Sequence, residues 1–198
     1  MYSSKKTRGR PTTFNKETTI SRAMECYWNE GLGGLSINEL CRRINISKPA
    51  IYREFGGEDG LLSSVLEHYI DQVLIPLMQN LEDEHSLHQQ LLGVIESITA
   101  PSDQPTGCLL VNMWLNSHHL GPQSTATLHN VRTRIEEWYL NLVLKAKAQG
   151  TIRSDIDYHL AAKFINTQLT TVLIQMNAGE KPEQIRAEAK LAVSVLFE

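Results

Sequence analysis

Ser47-Lys48-Pro49-Ala50-Ile51-Tyr52-Arg53 brings together a hydroxyl, an ammonium, a guanidinium, a phenol and two small residues within seven positions. The chemistry these groups suit is contact with a polyanion rather than bond-making. Placed on a helix at about 100° per residue, Ile51 and Phe55 fall together on one side, while Pro49 and Arg53 point the opposite way, flanked by Ala50 and Tyr52. Small side chains at the helix start let its backbone approach a groove floor. The first-turn amides and Lys48 can then meet phosphate, and Arg53 can reach a guanine edge as the main base reader. Glu54, on the flank, can accept from a cytosine N4 amine. The competing reading is an exposed helix of an ordinary all-α bundle, with the same residues as a solvated face.

The elements that must hold this run are legible around it. Ser36-Ile37-Asn38-Glu39 has the spacing of a capping box and opens a short helix that buries Ile37, Leu40, Cys41 and Ile44. A tight turn at Asn45-Ile46 follows, Ser47 caps the next helix with Pro49 in its first turn, and Gly56-Gly57 ends it. Two short helices so joined form a helix-turn-helix, whose second helix lies in the DNA major groove. Upstream, a helix capped by Asn15 puts Ile20, Ala23, Met24, Tyr27 and Trp28 on one face and stops at Gly31. Downstream, a longer helix from about Glu58 carries Leu62, Val65, Leu66, Tyr69 and Val73, and Pro76 should kink or end it. Ser86–Gln89 is a second capping box, opening a helix to about Thr99. A loop (APSDQPTG), a short helix (CLLVNMWLNS) and another loop (HLGPQ) come next. Two long helices, 125–149 and 157–178, and a last one from Pro182 to Phe197 complete an all-α chain of about nine helices, with no period-two strand pattern.

Composition agrees with a globular protein: 198 residues, 41% apolar and 21% charged. No apolar run approaches the roughly 18 residues that span a bilayer, and the basic N-terminus lacks the apolar core of a secretory signal, so no membrane partner is expected. Cys26, Cys41 and Cys108 are odd in number and widely spaced, which fits a reduced, cytoplasmic protein without a disulfide framework. The net charge of −3 hides an asymmetry. Residues 1–55 hold ten Lys/Arg against five Glu, a net of +5, which leaves −8 for the remainder. A basic front and an acidic back point to a polyanion at the front only.

The stretch AMECYWNEGLGGLSINELCRRINISKPAIYREFGGEDGLL resembles the DNA-binding domain of the TetR family of bacterial transcriptional repressors, over about residues 10 to 66. The shared features are the aromatic before Glu-Gly, the Ser-capped second helix, ISKPAIYREF, and Leu-Leu after it. The resemblance implies a homodimer, with an arm and helix-turn-helix domain over residues 1–56 and a ligand-binding and dimerisation domain over residues 57–198. It places Ser36 on phosphate, and Ser47, Lys48, Pro49, Ala50, Tyr52 and Arg53 at the operator. RGRP at residues 8–11 matches a basic arm, with Arg8 and Arg10 suited to a narrow, negative groove. One departure stands out. Where members commonly carry a phosphate-binding lysine, this chain has Gly57-Glu58-Asp59, whose carboxylates are expected to repel DNA.

In the C-terminal part, 157–178 presents Leu160, Phe164, Ile165, Leu169, Val172, Leu173 and Met176, and the last helix presents Ile185, Ala189, Ala192, Val195 and Leu196. These faces are wider than one packing partner needs and match the dimer contact of the resembled family. Tyr69, Asn112, Met113, Trp114, His118, Trp138 and Gln168 offer aromatic area with a few polar handles, suited to a small, largely apolar effector. Cys108 joins them as a rival switch: in the first turn of a helix its thiol pKa can be lowered, and some family members with a similar Gly-Cys-Leu segment respond to oxidants or electrophiles through that cysteine. The expected function is thus an effector-released repressor of a near-palindromic operator. The alternatives are a repressor switched at Cys108 and a protein-interaction factor held on DNA. Glu84, His85 and His88 have metal-compatible spacing but no fourth ligand, and no nucleophile elbow, phosphate loop or HExxH occurs, so neither enzyme, metal nor cofactor is expected.

Overall fold

A computed structural model describes residues 14–79, 85–102 and 105–197, all of them in helices, turns or loops. The helices are α1 (Lys16–Glu30), α2 (Ile37–Ile44), α3 (Lys48–Phe55), α4 (Glu58–Tyr69), α5 (Ile75–Gln79), α6 (Leu87–Thr99), α7 (Leu109–Leu115), α8 (Pro122–Ala148), α9 (Tyr158–Asn177) and α10 (Pro182–Ser194). A π-helical turn, Ile70–Leu74, joins α4 to α5 into one rod, and a 3-10 turn, Ser117–His119, precedes α8. None of the helices described is long and apolar enough to cross a membrane.

The ends of the first helices follow from local chemistry. Asn15 accepts the Thr18 N–H at 2.9 Å to cap α1. Ser36 accepts the Glu39 N–H at 3.3 Å, but the capping box is only half formed: the Glu39 carboxylate turns instead to Arg42 and Arg43. Asn45 closes α2 in the left-handed region (φ 57°), a conformation its short amide tolerates and a branched side chain resists. Ser47 stands at the N-cap of α3 but makes no side-chain cap bond, contrary to expectation. The Ser86–Gln89 box is complete in both directions.

One expected boundary moves, and Pro76 disturbs its helix without ending it. It lacks an N–H and its ring crowds the carbonyl of Gln72, and the π-turn just upstream, closed by Ile75 N–H on Ile70 O, absorbs the disturbance. The stretch expected as loop before residue 125 already contains the start of α8, with Pro122 in its first turn.

Apolar side chains gather in two clusters. The first holds Trp28, Leu40, Ile44, Ile51, Phe55, Leu62, Leu66, Met113, Leu128 and Val131; the second holds Leu91, Ile95, Tyr139, Val143, Ile165, Leu169, Ile185 and Val193. α8 belongs to both, with Ile135 packed against each. The faces of α9 and α10 divide accordingly. Ile165, Leu169, Val172, Ile185, Ala189 and Leu196 are buried within the chain, while Leu160, Leu191 and Val195 are 63%, 72% and 50% exposed.

Candidate nucleic-acid interface and regulatory cavity

α3 is fixed by its inner face. Ile51 is fully buried and Phe55 nearly so, the latter packed edge-on against Phe14 at 6.2 Å with the Lys16 ammonium over its ring. This orientation turns Pro49, Tyr52 and Arg53 outward, with Ser47 and Lys48 at the helix start and Ala50 half-buried. Tyr52 is 53% exposed. Lys48 Nζ lies 6.0 Å from its ring centroid, and Arg53 Nε donates to Glu54 Oε1 at 2.7 Å while the Arg53 side chain stays 66% exposed. Glu54 is therefore paired with Arg53 rather than presented to a base. Ser36 is exposed; its oxygen caps α2 while its hydroxyl hydrogen remains able to donate. Arg8 and Arg10 lie outside the described residues.

The acidic step after α3, expected to repel DNA, is half-buried and hydrogen-bonded within the chain. Tyr27 Oη donates to Glu58 Oε1 at 3.3 Å. Asp59 accepts the N–H groups of Gln123 and Ser124 and the Ser124 hydroxyl, so its charge faces the positive end of α8. Partial burial alone would raise the Asp59 carboxyl, but hydrogen bonds from Ser124, Gln123 and Gly121 outweigh it and hold the group below its usual range.

Beneath α1 and α4 lies a cavity of about 770 Å³, bounded by Trp28, Tyr69, the π-turn residues Val73 and Leu74, the end of α6 and the loop after it, and Cys108, Leu173 and Met176. Trp28 meets Tyr69 edge-to-face at 4.9 Å, and Tyr69 Oη donates to Cys108 Sγ at 3.2 Å. Burial raises both groups; for Cys108 the Tyr69 hydrogen bond offsets part of that rise. The expected lowering of the thiol is thus reversed. Cys108 sits at the N-cap of α7, one residue before the helix and buried, where desolvation dominates any benefit from the helix end.

The other residues expected around a ligand are dispersed. Trp138, on α8, borders a separate void of about 230 Å³ and a narrow one of about 90 Å³, the latter shared with Cys108, Leu74 and Leu173. Met113 is fully buried in the first apolar cluster. Asn112 lies against Gly31, where an added Cβ would come within 3.2 Å of its amide nitrogen. Trp114 faces outward beneath the Arg132 guanidinium at 4.2 Å, and His118 lies against His119 at the surface. Gln168 is half-buried on α9 and borders none of these cavities. Sequence reasoning misses the cavity role of Trp28, whose place on the α1 stripe reads only as core. Among the described residues no group of three His, Cys, Asp or Glu is arranged to hold a metal ion; His88 stacks on Phe197 at 4.4 Å.

Residues 20–65, which run from within α1 into α4, match the model of bacterial regulatory proteins of the tetR family. The similarity runs on through the rest of the chain. It is 28% identical over 188 residues to the HTH-type transcriptional repressor ComR of Escherichia coli (strain K12), covering 91% of this chain and 88% of that one.

The chain thus resembles the TetR family along its length, and its helix-turn-helix segment matches that family's own model.

A second repressor of that organism, BdcR, is 25% identical and covers 93% of this chain and 90% of its own. Among solved structures, a cysteine mutant of the TetR family regulator CifR, in complex with 26-base-pair operator DNA, superposes with a TM-score of 0.80 at 25% identity, over 95% of this chain and 100% of that one. The relatives that this chain matches are transcriptional regulators rather than enzymes.

Proposed function

We propose that this regulator is a repressor that occupies a near-palindromic operator as a homodimer and leaves it when a small, largely apolar molecule fills the cavity under α1 and α4. The observation that carries the reading is continuity: one cavity touches Trp28 of α1 and Tyr69 of α4, and α4 begins three residues after the exposed recognition helix ends. Ser47, Lys48, Pro49, Ala50, Tyr52 and Arg53 would read the operator, Ser36 would hold phosphate, and Arg8 and Arg10 would follow the minor groove. Tyr69 and Cys108 would meet the effector. The exposed Leu160, Leu191 and Val195 supply a face for a second copy, which would set two recognition helices about 34–36 Å apart, one DNA turn. An effector works here only through unequal affinity for the bound and released arrangements.

Selection from a randomised duplex pool tests this directly. Enriched sequences should be inverted repeats with half-sites one turn apart, and Leu191→Asp should give a monomer that loses them. Recovery of an asymmetric site, or a monomer that binds undiminished, would defeat the dimeric reading.

A second reading has its own support. Cys108 borders the cavity and is paired with Tyr69, and the similar CifR chain was solved on DNA as a cysteine mutant. On this reading, modification of Cys108 by an oxidant or electrophile that enters the cavity replaces reversible occupancy. Operator release by peroxide or an electrophile from wild type but not from Cys108→Ser would favour it.

A further inference from the structure

We propose that the cavity takes a neutral, largely apolar molecule bearing an acceptor oxygen, and that the indole N–H of Trp28 is the donor this oxygen engages. The inference rests on the effector reading above and names the chemistry of its ligand. Trp28 is 6% exposed and borders the cavity, and its Nε1 is closed to solvent with no hydrogen-bond partner. A buried donor left unmatched is uncommon and costly, and it gains most from an incoming acceptor. Tyr69 does not answer it. That ring's π face is a weaker acceptor than an oxygen, and the Tyr69 hydroxyl hydrogen is directed at Cys108 Sγ.

Charge narrows the class. The charged groups among the described lining residues are Arg186 and Glu183. Arg186 is held by Glu96 at 2.8 Å and donates to Thr99 Oγ1 at 2.9 Å and to the Thr99 carbonyl at 3.2 Å. A carboxylate or phosphate entering beside Trp28 would therefore be desolvated without a cation of its own, whereas a ketone, ether or ester needs only the one donor. Because Nε1 is shut off in this arrangement, the oxygen reaches it when the indole edge turns toward the cavity. Trp28 lies in the last turn of α1, inside the DNA-binding unit, so that turn is felt by the element that positions α2 and α3. The hydrogen bond is thereby available in one arrangement and absent in the other, which is the unequal affinity an effector requires.

Two near-isosteric probe pairs test the assignment on the full chain: acetophenone with α-methylstyrene, and benzophenone with 1,1-diphenylethylene. Each alkene keeps the apolar body and lacks the oxygen. Binding is followed by indole ¹H–¹⁵N resonances, with Trp28 assigned from Trp28→Phe. At least one ketone should bind about tenfold tighter than its alkene, the effect of one hydrogen bond, and should move the Trp28 N–H downfield. Trp28→Phe should bring ketone and alkene to similar affinity. Equal binding of both members to wild type, or a ketone preference that survives in Trp28→Phe, overturns the donor assignment while leaving the effector cavity standing. If no probe perturbs cavity resonances, both the assignment and the cavity reading fall. Should Trp28→Phe not fold, Trp114→Phe and Trp138→Phe assign the Trp28 resonance by elimination, and a bound ketone that leaves it unmoved overturns the assignment.

Discussion

Asp59 closes the amino end of α8 through Ser124: its carboxylate accepts the backbone N–H of Gln123 at 2.9 Å and of Ser124 at 3.0 Å, together with the Ser124 hydroxyl. A helix normally finds its cap in the residue just before it, but Gly121 has no side chain to offer. It has none for a reason, since a Cβ there would lie 2.4 Å from Asp59 Cγ. The first turn of α4 thus supplies what the start of α8 lacks. Ser63 and Thr127, whose hydroxyls meet at 2.8 Å one turn further along, extend the same seam.

Removing this cap should destabilise the chain. Asp59→Ala is expected to cost about 1–2 kcal/mol, seen as a fall in Tm of about 2–8 °C, and Asp59→Asn should cost less. A thermal melt unchanged by Asp59→Ala would show that water replaces the carboxylate without penalty.

The same contact sets a pH dependence. The folded-state carboxyl of Asp59 titrates below the 3.8 of an unperturbed aspartate, so its contribution is complete above that value and disappears as pH falls through the lower folded-state value. Wild type and Asp59→Asn should therefore differ in stability near neutrality and converge in acid. Parallel curves down to the lowest pH at which both fold would contradict the assignment.

Arg53→Ala should weaken operator binding by about 1–3 kcal/mol and relax discrimination at one base pair in each half-site. Competition between operator variants is the measurement. A uniform loss across all variants would make Arg53 a phosphate clamp.

Deleting residues 1–10, which include Lys5, Lys6, Arg8 and Arg10, should lower DNA affinity severely and reduce the slope of log affinity against log salt, since fewer counterions are released. A truncated chain with the original slope would place the phosphate contacts elsewhere.

Burial raises the Cys108 thiol, so little thiolate is present at neutral pH. In a Cys26→Ser, Cys41→Ser background, alkylation of Cys108 should be slow at pH 7 and still accelerating at pH values where an exposed thiol has levelled off. Rapid modification at pH 7 would instead support the covalent switch.

Short-range signals carry much of the fold. Helix starts at Asn15, Ser36 and Ser86, the left-handed stop at Asn45, and the split of α3 into Ile51–Phe55 and Pro49–Arg53 sides all depend on residues within one or two turns. The start of α8 escapes such signals because its cap comes from Asp59, more than sixty positions away. The cavity is only partly legible for a related reason. Tyr69 and Cys108 border it, but so does Trp28 from another element, while Asn112 and Met113 serve packing near α1. Periodicity identifies which residues face inward, and it does not say whether they meet a neighbour or a space.

The widened turn ahead of Pro76 has a last consequence. Regular winding from Tyr69 onward would splay Val73, Leu74 and Leu77 over a broad arc, yet all of them, with Tyr69, border the same cavity. Underwinding by one residue gathers these side chains into a single wall. The breadth of that wall is therefore a matter of chain count as much as of side-chain identity: shortening the Ile70–Leu74 segment by one residue would rotate part of it away while leaving every apolar side chain of the wall in the sequence.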